Sequence, residues 1–143
     1  MQSRRQLLAE IGLVAVTALV GLAVLDQLPA EMAIHFGLSG TPDDYASKPI
    51  AFVLLPALQV GMVALFAVLP RIDPIGENVA AFGRAYDAFV LVVLGFLGYV
   101  HALVVLWNVG YEFPITMALA PAMAVFYYAI GALVEEAESI VST

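Results

Sequence analysis

The run AFVLLPALQVGMVALFAVL, residues 51–69, decides how this chain folds. Its 19 residues hold no charge, and Gln59 is the one strongly polar side chain among them. A bilayer's apolar core needs roughly 20 helical residues to cross it. In lipid, each backbone N–H and C=O must bond within its own segment unless a barrel closes. Barrel strands alternate apolar and polar positions, and this run does not. It reads as a transmembrane helix.

Working outward, three more runs of this kind lie at residues 7–25, 88–107 and 115–134. The expected architecture is all-α: one integral membrane domain over residues 1–143, a four-helix transmembrane bundle. Composition agrees, at 63% hydrophobic and 12% charged. A water-soluble domain is nearer half apolar and a quarter charged. The chain has no cysteine, which excludes disulfides and thiolate metal sites. A net charge of −7 argues against nucleic acid as a direct partner.

Orientation follows from the cations. Arg4 and Arg5 precede the first span, Arg71 and Arg84 flank the link between the second and third, and Lys48 alone sits in the first loop. Four spans put both arginine pairs on one side. The positive-inside rule then expects a cell-membrane protein with both termini in the cytoplasm and the first loop outside. Ser3-Arg4-Arg5 resembles the start of an export signal. The apolar run behind it is longer than a signal core, and three spans follow, so a retained anchor is expected. Glu10, one turn inside the first span, is expected at the interface near Arg4 or Arg5.

The loop at residues 28–49 reads LPAEMAIHFGLSGTPDDYASKP. Pro29 suits the first turn of a short helix, which would put Glu31 and His35 on one face. Gly37 and Gly40 would end it, Thr41-Pro42-Asp43-Asp44 reads as a turn, and Pro49 can open the second span. Glu31, His35, Asp43 and Asp44 form an oxygen-and-nitrogen set, but at no spacing typical of a metal motif, and no metal is expected. The plain reading of each is loop architecture, with Asp43 capping a turn and Lys48 paired with a carboxylate.

Pro56 and Pro121 fall inside spans, where each removes a backbone bond. Gly95 and Gly98, and Ala118 with Ala122, offer small surfaces for close helix contact, compatible with a homo-oligomer. The third span is the most polar, with Arg84, Asp87, His101 and Asn108. Arg84 and Asp87, three apart, can pair. Asp87 and His101 can share a face, yet lie about 21 Å apart along the axis. His101 is the sharpest intramembrane feature, since ionisable groups in a bilayer are functional hypotheses by default. Its plain alternative is a neutral imidazole bonded to Gln59 or a tyrosine hydroxyl. There is no GxSxG, no phosphate loop and no paired-carboxylate constellation, so neither an enzyme nor a cofactor is expected.

Two elements carry a family resemblance. One is LP-x5-HF-x3-G-x-PDD-x3-K, with the matching positions at Leu28, Pro29, Ile34, His35, Phe36, Gly40, Pro42, Asp43 and Lys48. The other is Pro-x-Ile-Asp-Pro-x-x-x-Asn, at Pro70, Ile72, Asp73, Pro74 and Asn78. In this order they resemble the N-terminal domain of SdpI-type immunity proteins, a domain of unknown function. Longer members continue with further spans, so the chain looks like a short or truncated member. The resemblance implies a protein that meets an extracellular peptide toxin and signals to a cytoplasmic repressor. The candidate residues it marks are His35, Phe36, Gly40, Pro42, Asp43 and Lys48 in the loop. Asp73, Asn78 and Arg84 mark the cytoplasmic link, and Gln59, Asp87 and His101 are the intramembrane candidates. A small transporter or transport accessory, and a structural subunit of a membrane complex, are the alternative readings.

Overall fold

The computed structural model describes residues 3–72 and 83–142. It has four long helices: α1 (Arg4–Leu22), α2 (Lys48–Ile72), α3 (Gly83–Val109) and α4 (Ile115–Val141). All four are long and apolar enough to cross a membrane, and the protein is a multi-pass membrane protein. The 19 residues of α1 span about 28 Å, close to the bilayer's apolar thickness. The 25 to 27 residues of the others exceed it, so their ends protrude or tilt. Asp73 and Asn78 lie outside the described residues.

Ser3 starts α1 by accepting the Gln6 N–H on its hydroxyl at 3.0 Å, a standard N-cap. The helix stops at Leu22, short of the expected Leu25, and a 3-10 turn follows at Leu25–Gln27. Pro29 explains why no helix continues: it forces Leu28 into extended backbone, seen at φ −76 and ψ 136.

The first loop is the main correction. No short helix follows Pro29; instead β1 (Glu31–Phe36) and β2 (Pro42–Ser47) form an antiparallel hairpin. A helix of two turns is marginal in water. As a strand, the same residues place Met32, Ile34 and Phe36 on one face, where all three pack onto the apolar cluster of Leu28, Ala51, Val104 and Val105. Ala46, opposite Met32, joins them. The turn is not at residues 41–44 but at 37–40, four residues earlier. Gly37 N–H donates to Thr41 O at 2.9 Å and Gly40 N–H to Gly37 O at 2.8 Å. Gly40 sits at φ +81, the left-handed position that closes a three-residue hairpin loop.

The hairpin lies across one end of the bundle. Its turn rests on the start of α4, where a Cβ at Gly40 would come within 3.6 Å of Thr116 Oγ1. A second apolar cluster, Phe66, Val90, Val93 and Leu94, fills the other half between α2 and α3. The outermost helix, α4, packs on α3 through Phe126, which meets Phe89 and Phe96, and through Tyr99, whose hydroxyl donates to Ala118 O at 2.7 Å. Gly98 makes the close helix contact expected of it. Gly95 does not: with Ala122 and Pro121 it lines an open groove between α3 and α4.

Candidate functional site

The hairpin is held to the helices by one side chain above all. Asn108 Oδ1 accepts the Ala33 N–H at 2.8 Å, and Asn108 Nδ2 donates to Ala33 O at 2.9 Å and to Val104 O at 2.8 Å. The amide thus imitates a neighbouring strand along the outer edge of β1. Ala33 is fully buried, so these bonds satisfy backbone groups that water cannot reach. Two contacts flank this latch. Phe36 meets the ring of Trp107 edge-on at 5.4 Å between centroids. Lys48 Nζ donates to Leu25 O at 3.2 Å, so the lysine serves the turn after α1 rather than a carboxylate.

His35 and Asp43 face each other across the strands, with Nδ1 and Oδ1 2.5 Å apart. Asp43 therefore caps no turn; it partners the histidine. Both side chains are exposed, at 70% and 51%, on the face away from the helices. Pro42 opens β2 opposite Phe36. All six loop candidates, His35, Phe36, Gly40, Pro42, Asp43 and Lys48, thus belong to one hairpin and its exit. Behind it lies a cavity of about 230 Å³, walled by Ile34, Phe36, Leu103, Ile115 and Leu119, with His35 at its border. Among the described residues no group of three His, Asp or Glu could hold a metal.

Deeper in the bundle, α1, α2 and α3 meet at a polar layer. Thr17, Gln59 and His101 are all buried there. Thr17 Oγ1 donates to Leu13 O at 2.9 Å and Gln59 Nε2 to Leu94 O at 2.8 Å. A Cβ at Gly98 would lie 2.7 Å from Thr17 Oγ1 and 3.3 Å from Gln59 Nε2. One turn toward the hairpin, a Cβ at Gly21 would lie 2.5 Å from the Phe52 ring and 3.2 Å from His101 Nε2. Gln59 does not bond His101, contrary to the plain reading of that histidine. Gln59 Oε1 and His101 Nε2 are both buried without a hydrogen-bond partner among the described residues. Such groups in an apolar medium cost free energy, which marks the layer as a place of interest.

Asp87 is not part of this layer. At the opposite end of the bundle, Gln6 Nε2 donates both to Asp87 O and to Glu10 Oε1, each at 3.0 Å. Glu10 is fully buried within the bundle. Among the described residues the one ion pair is His35–Asp43, so Arg84 and Asp87 do not pair as their spacing allows. Arg84 is exposed in the first turn of α3. Sequence reasoning missed the roles of Asn108, Gln6 and Thr17. A signal existed for two of them: Gln6 and Glu10, and Thr17 and Gly21, stand four apart on single faces of α1.

Residues 12–60 match the family described as Domain of unknown function (DUF1648), a domain found in SdpI-like membrane proteins. No curated protein and no solved structure matches the chain. The matched stretch takes in Thr17, Gly21, the whole hairpin, Phe52 and Gln59, while their α3 partners Leu94, Gly98, His101 and Asn108 fall outside it. It is thus the α1–hairpin–α2 segment of this multi-pass membrane protein, one side of both the latch and the polar layer, that carries the likeness to DUF1648.

Proposed function

We propose that this chain is a binding and sensing protein of the cell membrane, of the peptide-toxin immunity type, rather than a catalyst. Both termini lie in the cytoplasm, and the hairpin faces outside. The four-to-one arginine and lysine split supports that orientation. The observation that carries the reading is the hairpin: a preformed, latched element that walls a cavity of about 230 Å³ and holds the His35–Asp43 pair at its surface. An apolar peptide side chain suits the cavity, and the polar pair suits the peptide's charged groups. A cytoplasmic repressor would meet the opposite end, near Arg84.

The test is survival. Cells lacking the protein are challenged with secreted antimicrobial peptides and complemented with wild type or His35→Ala at matched membrane levels. Wild type is expected to protect and His35→Ala to protect poorly. The exposed pair contributes at most about 1 kcal/mol to stability, so loss of protection would not reflect unfolding. Absence of protection by wild type against every peptide would remove the reading.

One observation favours a second reading, a small transporter or transport accessory: the buried layer with two polar atoms, Gln59 Oε1 and His101 Nε2, that have no partner among the described residues. It requires solute flux in proteoliposomes that His101→Ala abolishes. Liposomes that stay tight to every solute tried end it.

A further inference from the structure

We infer that the free edge of β2 takes a cationic peptide segment in extended form, as a third strand of the hairpin sheet. The inference rests on the outward-facing, peptide-binding reading above and names the mode and the chemistry of the partner.

The two edges of this sheet differ. The edge of β1 is closed by the Asn108 amide on Ala33. That contact fixes the pattern of the ladder. Ala33 turns its N–H and C=O away from β2, so its partner Tyr45 turns its own away from β1. Lys48 N–H donates to Ala30 O at 2.8 Å, which confirms the alternation and leaves the Ser47 N–H outward as well. Tyr45 N–H and C=O and Ser47 N–H are therefore directed to the open side. Among the described residues the Tyr45 N–H has one partner, the carboxylate of its neighbour Asp44 at 2.9 Å, a local bond that an arriving strand can replace. Asp43, Asp44, Tyr45 and Ser47 are all exposed. An exposed edge with outward donors and acceptors is what strand addition uses.

Charge selects the occupant. The hairpin end of the molecule carries Asp26, Glu31, Asp43, Asp44 and Glu112 against Lys48, with Asp43 already partnered by His35. A second copy pairing along β2 would bring a second Asp43-Asp44 pair to the same short edge, and like charges close across strands are unfavourable. A lysine- or arginine-bearing strand meets the opposite sign.

The full-length protein in nanodiscs is titrated with a synthetic alternating Lys-Val peptide and with the same peptide N-methylated at alternate residues. The first is expected to bind and to slow hydrogen exchange at Tyr45 and Ser47. Methylation, which blocks the donors on one edge, is expected to weaken binding about tenfold, as is Tyr45→Pro. Proline is tolerated there because the Tyr45 N–H is outside the hairpin's own ladder. Asp44→Lys, which removes no ladder bond, is expected to weaken binding and to flatten its salt dependence, since the hairpin end stays acidic. Equal binding of the methylated peptide, or no binding at all, overturns the inference. So does a wild-type dimer that Tyr45→Pro separates, since a second copy would then cover the edge. The survival assay keeps the two readings apart. Protection that persists in Tyr45→Pro leaves peptide sensing standing and removes the edge from it.

Discussion

Replacing Asn108 by leucine is expected to detach the hairpin while leaving the four helices in place. The substitution keeps the branched outline of the side chain, with bulkier methyl ends, but removes both of its contacts to Ala33. The Ala33 N–H and C=O then sit buried and unbonded, at a cost of about 1–3 kcal/mol each. Little else holds that end of the sheet: the Phe36–Trp107 contact and the apolar face of Met32 and Ile34 must bear the load. Trp107, the single tryptophan, reports the outcome. Its emission is expected to move to longer wavelength as Phe36 leaves. Amides 31–36 should exchange faster, while helical circular dichroism stays constant. Because Trp107 adjoins the mutated position, the exchange data decide. Asn108→Asp, which keeps an acceptor for Ala33 N–H but loses the donor, should fall between. Unchanged exchange in Asn108→Leu would show that apolar packing alone seats the hairpin.

The spans are legible in the sequence because lipid imposes one coarse requirement, length without charge, and residues 51–69 meet it without ambiguity. The hairpin is harder to read for a physical reason. Glu31 and His35 stand four apart, and that spacing puts them on one face of a helix and equally on one face of a strand. The deciding pattern is the other set, Met32, Ile34 and Phe36, which alternates with period two and would scatter around a helix. Pro29 pulls the reading toward a helix start, yet proline serves an extended entry just as well.

The polar layer divides in the same way. His101 and Gln59 stand out in apolar runs, so their being buried is readable. That Gln59 bonds a backbone carbonyl of α3 and leaves His101 without it depends on helix rotation, which no single sequence discloses. Asn108 lies just beyond the run that ends at residue 107, where a polar residue looks like an ordinary helix exit. Its role depends on a strand 75 positions away.

Gly21→Ala is the second substitution with a large expected effect, and Gly12→Ala on the same helix is its control. At Gly12 nothing lies within 4 Å of an added Cβ, so alanine there should be neutral or slightly stabilising through helix propensity. At Gly21 the same methyl would meet Phe52 Cε2 at 2.5 Å and Cδ2 at 2.9 Å, with His101 Nε2 at 3.2 Å behind them. The half-buried Phe52 ring, which stands edge-on to His101 at 6.5 Å between centroids, must shift to make room. Overpacking of this kind costs about 1–3 kcal/mol, read as a loss of unfolding free energy in mixed micelles. A double-mutant cycle tests the cause. Phe52→Leu shortens the offending side chain, so the pair should be less destabilised than the sum of its members, by about 0.5–3 kcal/mol. Strict additivity would place the strain elsewhere, and a Gly21→Ala protein as stable as Gly12→Ala would mean that α1 does not seat against Phe52. The result bears on function through His101. If prying α1 from α2 admits water to Nε2, Gly21→Ala should speed exchange in the neighbouring backbone without releasing the hairpin. The polar layer and the latch would then be separable, as the sensing and transport readings each require.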